Sequence, residues 1–273
     1  MSRHPWNTEF TWTRPATPPR RLTLDEVDQF HREGYVVIEN LVADHALAEL
    51  TAELDDIEAG VDDFVKALPD ERMFIAESGA IIFSPHAVKV SPAARRVSRD
   101  RAVVEVVRDL IGPDVRLYWD QIVYKKPEKP RRFPFHQDNG YGFVEPQQYL
   151  TCWVALTDAT IDNGCTWIVP GVHLEGTLAH EYIEPLGFEC FEDHPDMVPV
   201  EAPAGSVVVF SSLTPHMTGA NTTDDVRKSY ILQYASDGSE VLRGEPDAPP
   251  EKRERNSHPD RQFFVVQGGK RVD

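Results

Sequence analysis

Beyond residue 115 the sequence is a succession of short β-branched and aromatic runs, RLYWDQIVYKK, QYLTCWVALTD, TWIVPG, SVVVFSS and KSYILQYA, divided by Gly, Pro, Asn and Asp. Such runs fit a pleated, half-buried surface, and the dividers supply turns. This half of the chain is therefore committed to several strands folded back on one another. The first hundred residues read differently. Thr23 and Glu26 form a capping-box pair, and Gly34 suits the end of the helix they start. YVVI at 35–38 is a strand candidate. Leu47, Leu50, Leu54 and Ile57 recur at helical spacing from about Asp44 to Ile57, with Gly60 as the stop. Val103, Val106, Val107 and Leu110 repeat that spacing ahead of Gly112-Pro113. Helices first and strands later predict an α+β chain with a mainly β core: a sandwich or barrel of antiparallel strands with N-terminal helices packed on it.

At 273 residues the chain can bury one sizeable core. Residues 1–21, rich in Pro, Arg and Trp, read as an irregular N-terminal arm, and 22–236 as a single domain. The charged, Pro-rich segment 237–273 reads as a loosely held C-terminal extension. No internal repeat is visible.

A formal net charge of −17 repels phosphate backbones and argues against a nucleic-acid partner. No uninterrupted apolar span reaches the roughly 20 residues of a membrane helix, and the first 25 residues hold no apolar run typical of a signal peptide. A cytoplasmic protein acting on a small molecule is expected, with its oligomeric state left open. Cys152, Cys165 and Cys190 are an odd number without a CxxC pairing, which implies buried thiols rather than a disulfide framework or a zinc ribbon. One stretch runs against the acidic trend: KKPEKPRR, 125–132, is either a solvated loop or a basic rim that draws a small anion inward.

The stretch FPFHQDNGYG, 133–142, sets His136 and Asp138 two positions apart among aromatic residues. In an extended segment i and i+2 share a face, so an imidazole and a carboxylate can converge on one divalent ion. Alone, H-x-D is a common tripeptide and needs a third ligand. His4, His31, His45, His86, His180, His194 and His258 lie in the arm, helical or looped stretches and read as ordinary solvated or capping residues. His173, in VPGVH, reads as a turn histidine. His216 follows the strand candidate SVVVFSS and precedes another, where a barrel's inner face could carry it back to the pair. Arg227 opens the run RKSYILQYA, whose alternation sets Arg227, Ser229, Ile231 and Gln233 on one face. If that face is internal, the guanidinium needs an anion, and the carboxylate of a bound small molecule would serve. If it is external, Arg227 is a surface ion-pair former beside Lys228.

These elements together resemble the phytanoyl-CoA dioxygenase family of iron(II)- and 2-oxoglutarate-dependent oxygenases. The resemblance covers roughly residues 23 to 235. It rests on LTLDEVDQFHREGYVVIENLV, YKKP, HQDNGY, LTCWVALTDATIDNGCTWIVPGVH, APAGSVVVFSSLTPHMTG and Arg227, in that order. It implies a double-stranded β-helix, a jelly-roll or cupin-like barrel, with iron held by His136, Asp138 and His216, and Arg227 clamping the far carboxylate of 2-oxoglutarate. Gln121, Gln137, Trp153 and Thr218 occupy positions that line the cosubstrate pocket in relatives. Tyr141 and Phe143, just after the ligand pair, either face the substrate or pack structurally. The implied reaction consumes Fe(II)-bound 2-oxoglutarate and O2, releases succinate and CO2, and hydroxylates an unactivated C–H bond, with no catalytic side chain needed beyond the ligands. Relatives that halogenate lack the carboxylate that Asp138 supplies. Acyl-CoA esters, amino acids and secondary metabolites are all substrates within the family, and the long segment 60–100 is a candidate lid. Two other readings keep the barrel: a zinc- or manganese-dependent hydrolase, and a non-catalytic small-molecule binder.

Overall fold

The computed structural model describes residues 1–127 and 133–272. Its centre is one large antiparallel sheet. The strands Tyr35–Ile38, Val207–Ser211, Leu150–Ala155, Arg227–Ser236, Val115–Lys125 and Ile81–Pro85 follow one another across it. Alternation decides what each face does. Cys152, Val154, Val207, Val209, Tyr230, Leu232 and Tyr234 point outward into a core shared with Leu50, Leu54, Val103 and Val107 of the helices. Trp153, Val208 and Phe210, one residue out of phase, point inward. There they meet Ile168 and Val200 of a smaller sheet, built from Val198–Val200, Thr166–Ile168 and His216–Thr218. Two sheets facing each other with helices on one outer side make the double-stranded β-helix.

The helices start as the sequence implies. Thr23 and Glu26 form the full capping box, and Gly34 closes the helix Leu24–Glu33 in the left-handed region. The second helix runs past its expected stop to Lys66. One internal glycine costs a helix only about 1 kcal/mol, and Val65, fully buried, continues the stripe. The segment 60–100 also contributes a wall: Ile81–Pro85 pairs with Gln121–Lys125, and Ile81 and Phe83 face the cavity.

The segment after 237 is not loosely held. Glu240–Arg243 pairs with Val144–Glu145, and Phe264–Gln267 pairs with the start of the Val115–Lys125 strand. Its anchor is FFVV, 263–266, where Val265 and Val266 are buried and Phe263 lies under the guanidinium groups of Arg95 and Arg99. The arm is irregular but pinned. The Asp109 carboxylate accepts the backbone N–H groups of Arg20, Arg21 and Leu22, and Arg3 bridges Leu178. Among the described residues no helix is long and apolar enough to cross a membrane.

Candidate metal centre

His136 and His216 are direct cross-strand partners: each backbone N–H donates to the other's carbonyl, at 3.0 and 2.9 Å, and the rings stand 4.2 Å apart. Gln137 is extended (φ −104°, ψ 141°), so Asp138 returns to the side of His136 before a single helical turn begins. His136 Nε2 and His216 Nε2 lie 3.9 and 3.7 Å from Asp138 Oδ1, and all three ligand atoms fall within 4.8 Å of one another.

The donor set fits a divalent cation. His136 Nδ1 donates to the Pro134 carbonyl and His216 Nδ1 to the Thr214 carbonyl, both at 2.9 Å. A carbonyl can only accept, so both Nδ1 atoms carry the proton and both Nε2 atoms present lone pairs. Burial, then the neighbouring His216, holds His136 well below the usual imidazole pKa and keeps it neutral. Two lone pairs and a carboxylate aimed at one point repel each other unless a cation lies between them. Two nitrogens and one oxygen on one face, with the opposite side open to a cavity, is the facial arrangement that suits Fe(II).

Asp138 is itself held. Thr151 donates a short hydrogen bond to Asp138 Oδ2, and Gln233 Nε2 donates to Thr151 Oγ1 at 3.3 Å. Oδ1 is thereby turned toward the imidazoles. Replacing Thr151 with valine keeps the shape and removes the donor. Metal affinity should fall roughly 10- to 100-fold, the usual effect of losing a group that orients a ligand. Titration with Co(II), followed by its visible absorption, checks this.

The open side leads into a cavity of about 410 Å³. Arg227, 1% exposed, stands in its wall with Gln121, Trp153 and Thr218. Arg227 Nη1 donates to Ser229 Oγ at 3.1 Å, and the guanidinium carbon lies 5.2 Å from the Trp153 ring centroid. The alternation read from KSYILQYA is therefore the observed one: Ile231 and Gln233 share this wall.

Gln137 is corrected, and Phe143 takes the structural one of its two readings. Gln137 is fully buried but turned away from the cavity, its side chain donating to the Gly176 and Leu213 carbonyls and accepting from Leu178 N–H. Phe143 packs against His4 and Trp6 of the arm. Tyr141 does line the cavity. His173 is structural, its Nε2 3.3 Å from the His31 carbonyl. His180 is not solvated: its Nε2 accepts the Gln137 N–H at 2.9 Å, and burial pushes its pKa down to about 4. Of the basic run, Lys126 pairs with Glu58 and Asp62 at 3.1 and 2.7 Å rather than forming a rim, and 128–132 lie outside the described residues. Thr151 escaped the sequence reading, although it alternates in phase with Trp153.

Comparison with known proteins agrees with this geometry. The family model for phytanoyl-CoA dioxygenase (PhyH) matches residues 30–229. The chain belongs to the phytanoyl-CoA dioxygenase family. It is accordingly a non-haem iron dioxygenase that uses 2-oxoglutarate. Within this family it is 29% identical over 242 residues to a probable phytanoyl-CoA dioxygenase of Caenorhabditis elegans, covering 79% of this chain and 76% of the relative. It is 26% identical over 238 residues to the ectoine dioxygenase of Bordetella bronchiseptica, with the same coverages of 79% and 76%. The fold matches the non-haem α-ketoglutarate-dependent carbocyclase SnoK from nogalamycin biosynthesis, with a TM-score of 0.72, 22% identity, and coverage of 92% of this chain and 100% of the other.

Proposed function

We propose that this dioxygenase hydroxylates an unactivated C–H bond of a small-molecule substrate, with His136, Asp138 and His216 as the iron ligands. The observation that carries the reading is the convergence of two bare Nε2 atoms and one carboxylate oxygen in a cavity that also contains Arg227. When bound, Fe(II) supplies the oxidising chemistry that couples decarboxylation of 2-oxoglutarate to insertion of one oxygen atom into the substrate. The protein's part is placement. Arg227 receives the distal carboxylate of the cosubstrate in a water-poor wall, where a charge-assisted pair is strong. Trp153 and Thr218 flank it, with Gln121 oriented by the Trp119 Nε1–H at 3.1 Å. Phe210 and Ile231 exclude water beside it. Asp138 occupies the third protein position and so favours hydroxylation over halogenation. The free Cys152, Cys165 and Cys190 suit a reducing compartment such as the cytoplasm.

A hydrolase reading lacks a base: among the described residues lining the cavity the only carboxylate is Asp138, already a ligand. Anaerobic addition of Fe(II) and 2-oxoglutarate should give the visible charge-transfer band of chelated iron, and admission of O2 should release succinate. Ester or phosphate hydrolysis with Zn(II), and no band, would reverse the assignment.

A further inference from the structure

We propose that the prime substrate is a small ring-bearing acid, its ring held by Tyr118, Trp119, Tyr141 and Tyr149 and its carboxylate received by Arg243. The inference rests on the oxygenase reading and extends it to the substrate end of the cavity.

A β-bulge builds that end. Gln233 pairs with Trp119 but the next residue, Tyr234, pairs with Leu117, so Tyr118 is an extra residue in its strand. The bulge breaks the alternation and lets consecutive aromatic residues, Tyr118 and Trp119, both line the cavity. Tyr149 meets Tyr118 edge to face at 5.2 Å and 70°. Tyr141 stands edge-on to His136 at 5.2 Å and 80°, so a ring seated among these side chains lies beside the metal ligands.

Charge then selects the substituent. Among the described lining residues the cations besides the histidines are Arg227 and Arg243, and the only carboxylate is Asp138, a metal ligand. Among the described lining residues a substrate ammonium group would find no carboxylate besides the ligand Asp138, whereas a carboxylate finds Arg243. The backbone holds Arg243 in place: Val241 pairs with Val144, and Leu242 N–H donates to the Phe143 carbonyl at 2.8 Å. Its side chain is 55% exposed and meets Glu254 at 3.2 Å. An exposed pair of this kind is weak enough to be exchanged for a substrate carboxylate.

Size limits what enters beside the ligands. The cavity of about 410 Å³ also has to admit 2-oxoglutarate and sits low in the range of roughly 300–1,000 Å³ for small-molecule sites. A small free acid fits within it. Arg243 lies beyond residue 229, where the family match ends.

The test is calorimetric titration of the anaerobic Fe(II) enzyme, saturated with 2-oxoglutarate so that Arg227 is engaged. The probes are phenylacetate, 3-phenylpropionate, trans-cinnamate and 1-naphthylacetate, each with its amide and its amine. At least one acid should bind in the millimolar range or tighter, roughly tenfold better than its amide, and accelerate succinate release under O2. Arg243→Gln should abolish the acid-over-amide preference, and Glu254→Gln, which frees the guanidinium, should tighten acid binding severalfold. No binding by any acid, amines binding as well as acids, or an unchanged preference in R243Q would overturn the inference. Those results alongside a normal charge-transfer band would leave the oxygenase reading standing; loss of the band itself would remove that reading instead.

Discussion

Arg227→Ala is expected to cut 2-oxoglutarate affinity while leaving metal binding intact. Removing one partner of a buried charge pair costs roughly 2–5 kcal/mol, about 30- to 4,000-fold in affinity. The upper part of that range applies, because Arg227 is 1% exposed and its charge sits in a buried wall. Arg227→Lys should recover little: an ammonium keeps the charge but not the planar fork that meets a carboxylate with two parallel hydrogen bonds. The His136–His216 backbone pair lies on the smaller sheet, away from the strand that carries Arg227, so the ligands should keep their places. Titrating 2-oxoglutarate into the anaerobic Fe(II) protein and following the charge-transfer band measures the loss directly. A separate Co(II) titration checks that the metal site is intact. Unchanged 2-oxoglutarate affinity would mean that another residue holds the distal carboxylate.

The residues behind these expectations were legible to different degrees. Arg227, Ile231 and Gln233 could be placed because strand alternation is rigid over the first part of their strand, where every partner from Lys125 to Trp119 is in simple register. His216 was legible because a strand led into it. Gln137 was misplaced although the rule against it was at hand: the alternation that brings His136 and Asp138 together sends the residue between them to the opposite side. Phe143 depended on a contact with His4 and Trp6, far away in sequence, which no local pattern encodes. The bulge at Tyr118 is a one-residue insertion whose only trace is a shift in pairing. The buried FFVV run was hidden by the charged residues before it, since composition averaged over a segment hides a short anchor.

His216→Ala should weaken metal binding severely with little change to the apo fold. The variant loses one of three ligand atoms, and among the described residues no further His, Cys, Asp or Glu completes the group. His180 is already engaged: its Nε2 accepts the Gln137 N–H and its Nδ1 lies 2.9 Å from the Leu178 carbonyl. The cross-strand pairing with His136 runs through backbone atoms and survives truncation of the side chain. Asp138 and His136 would remain as a two-point site, which binds a divalent ion weakly because each lost ligand must be replaced by water. Thermal unfolding reads this without turnover. A ligand that binds only the folded state stabilises it by about 2.7 kcal/mol at a hundredfold excess over Kd. Co(II) or Mn(II) at that excess should raise the midpoint of the parent protein, and the same concentration should leave His216→Ala unmoved. Equal shifts in both proteins would show that the ion is held elsewhere. The pairing of His136, Asp138 and His216 as a metal centre would then be wrong, whatever the barrel around them.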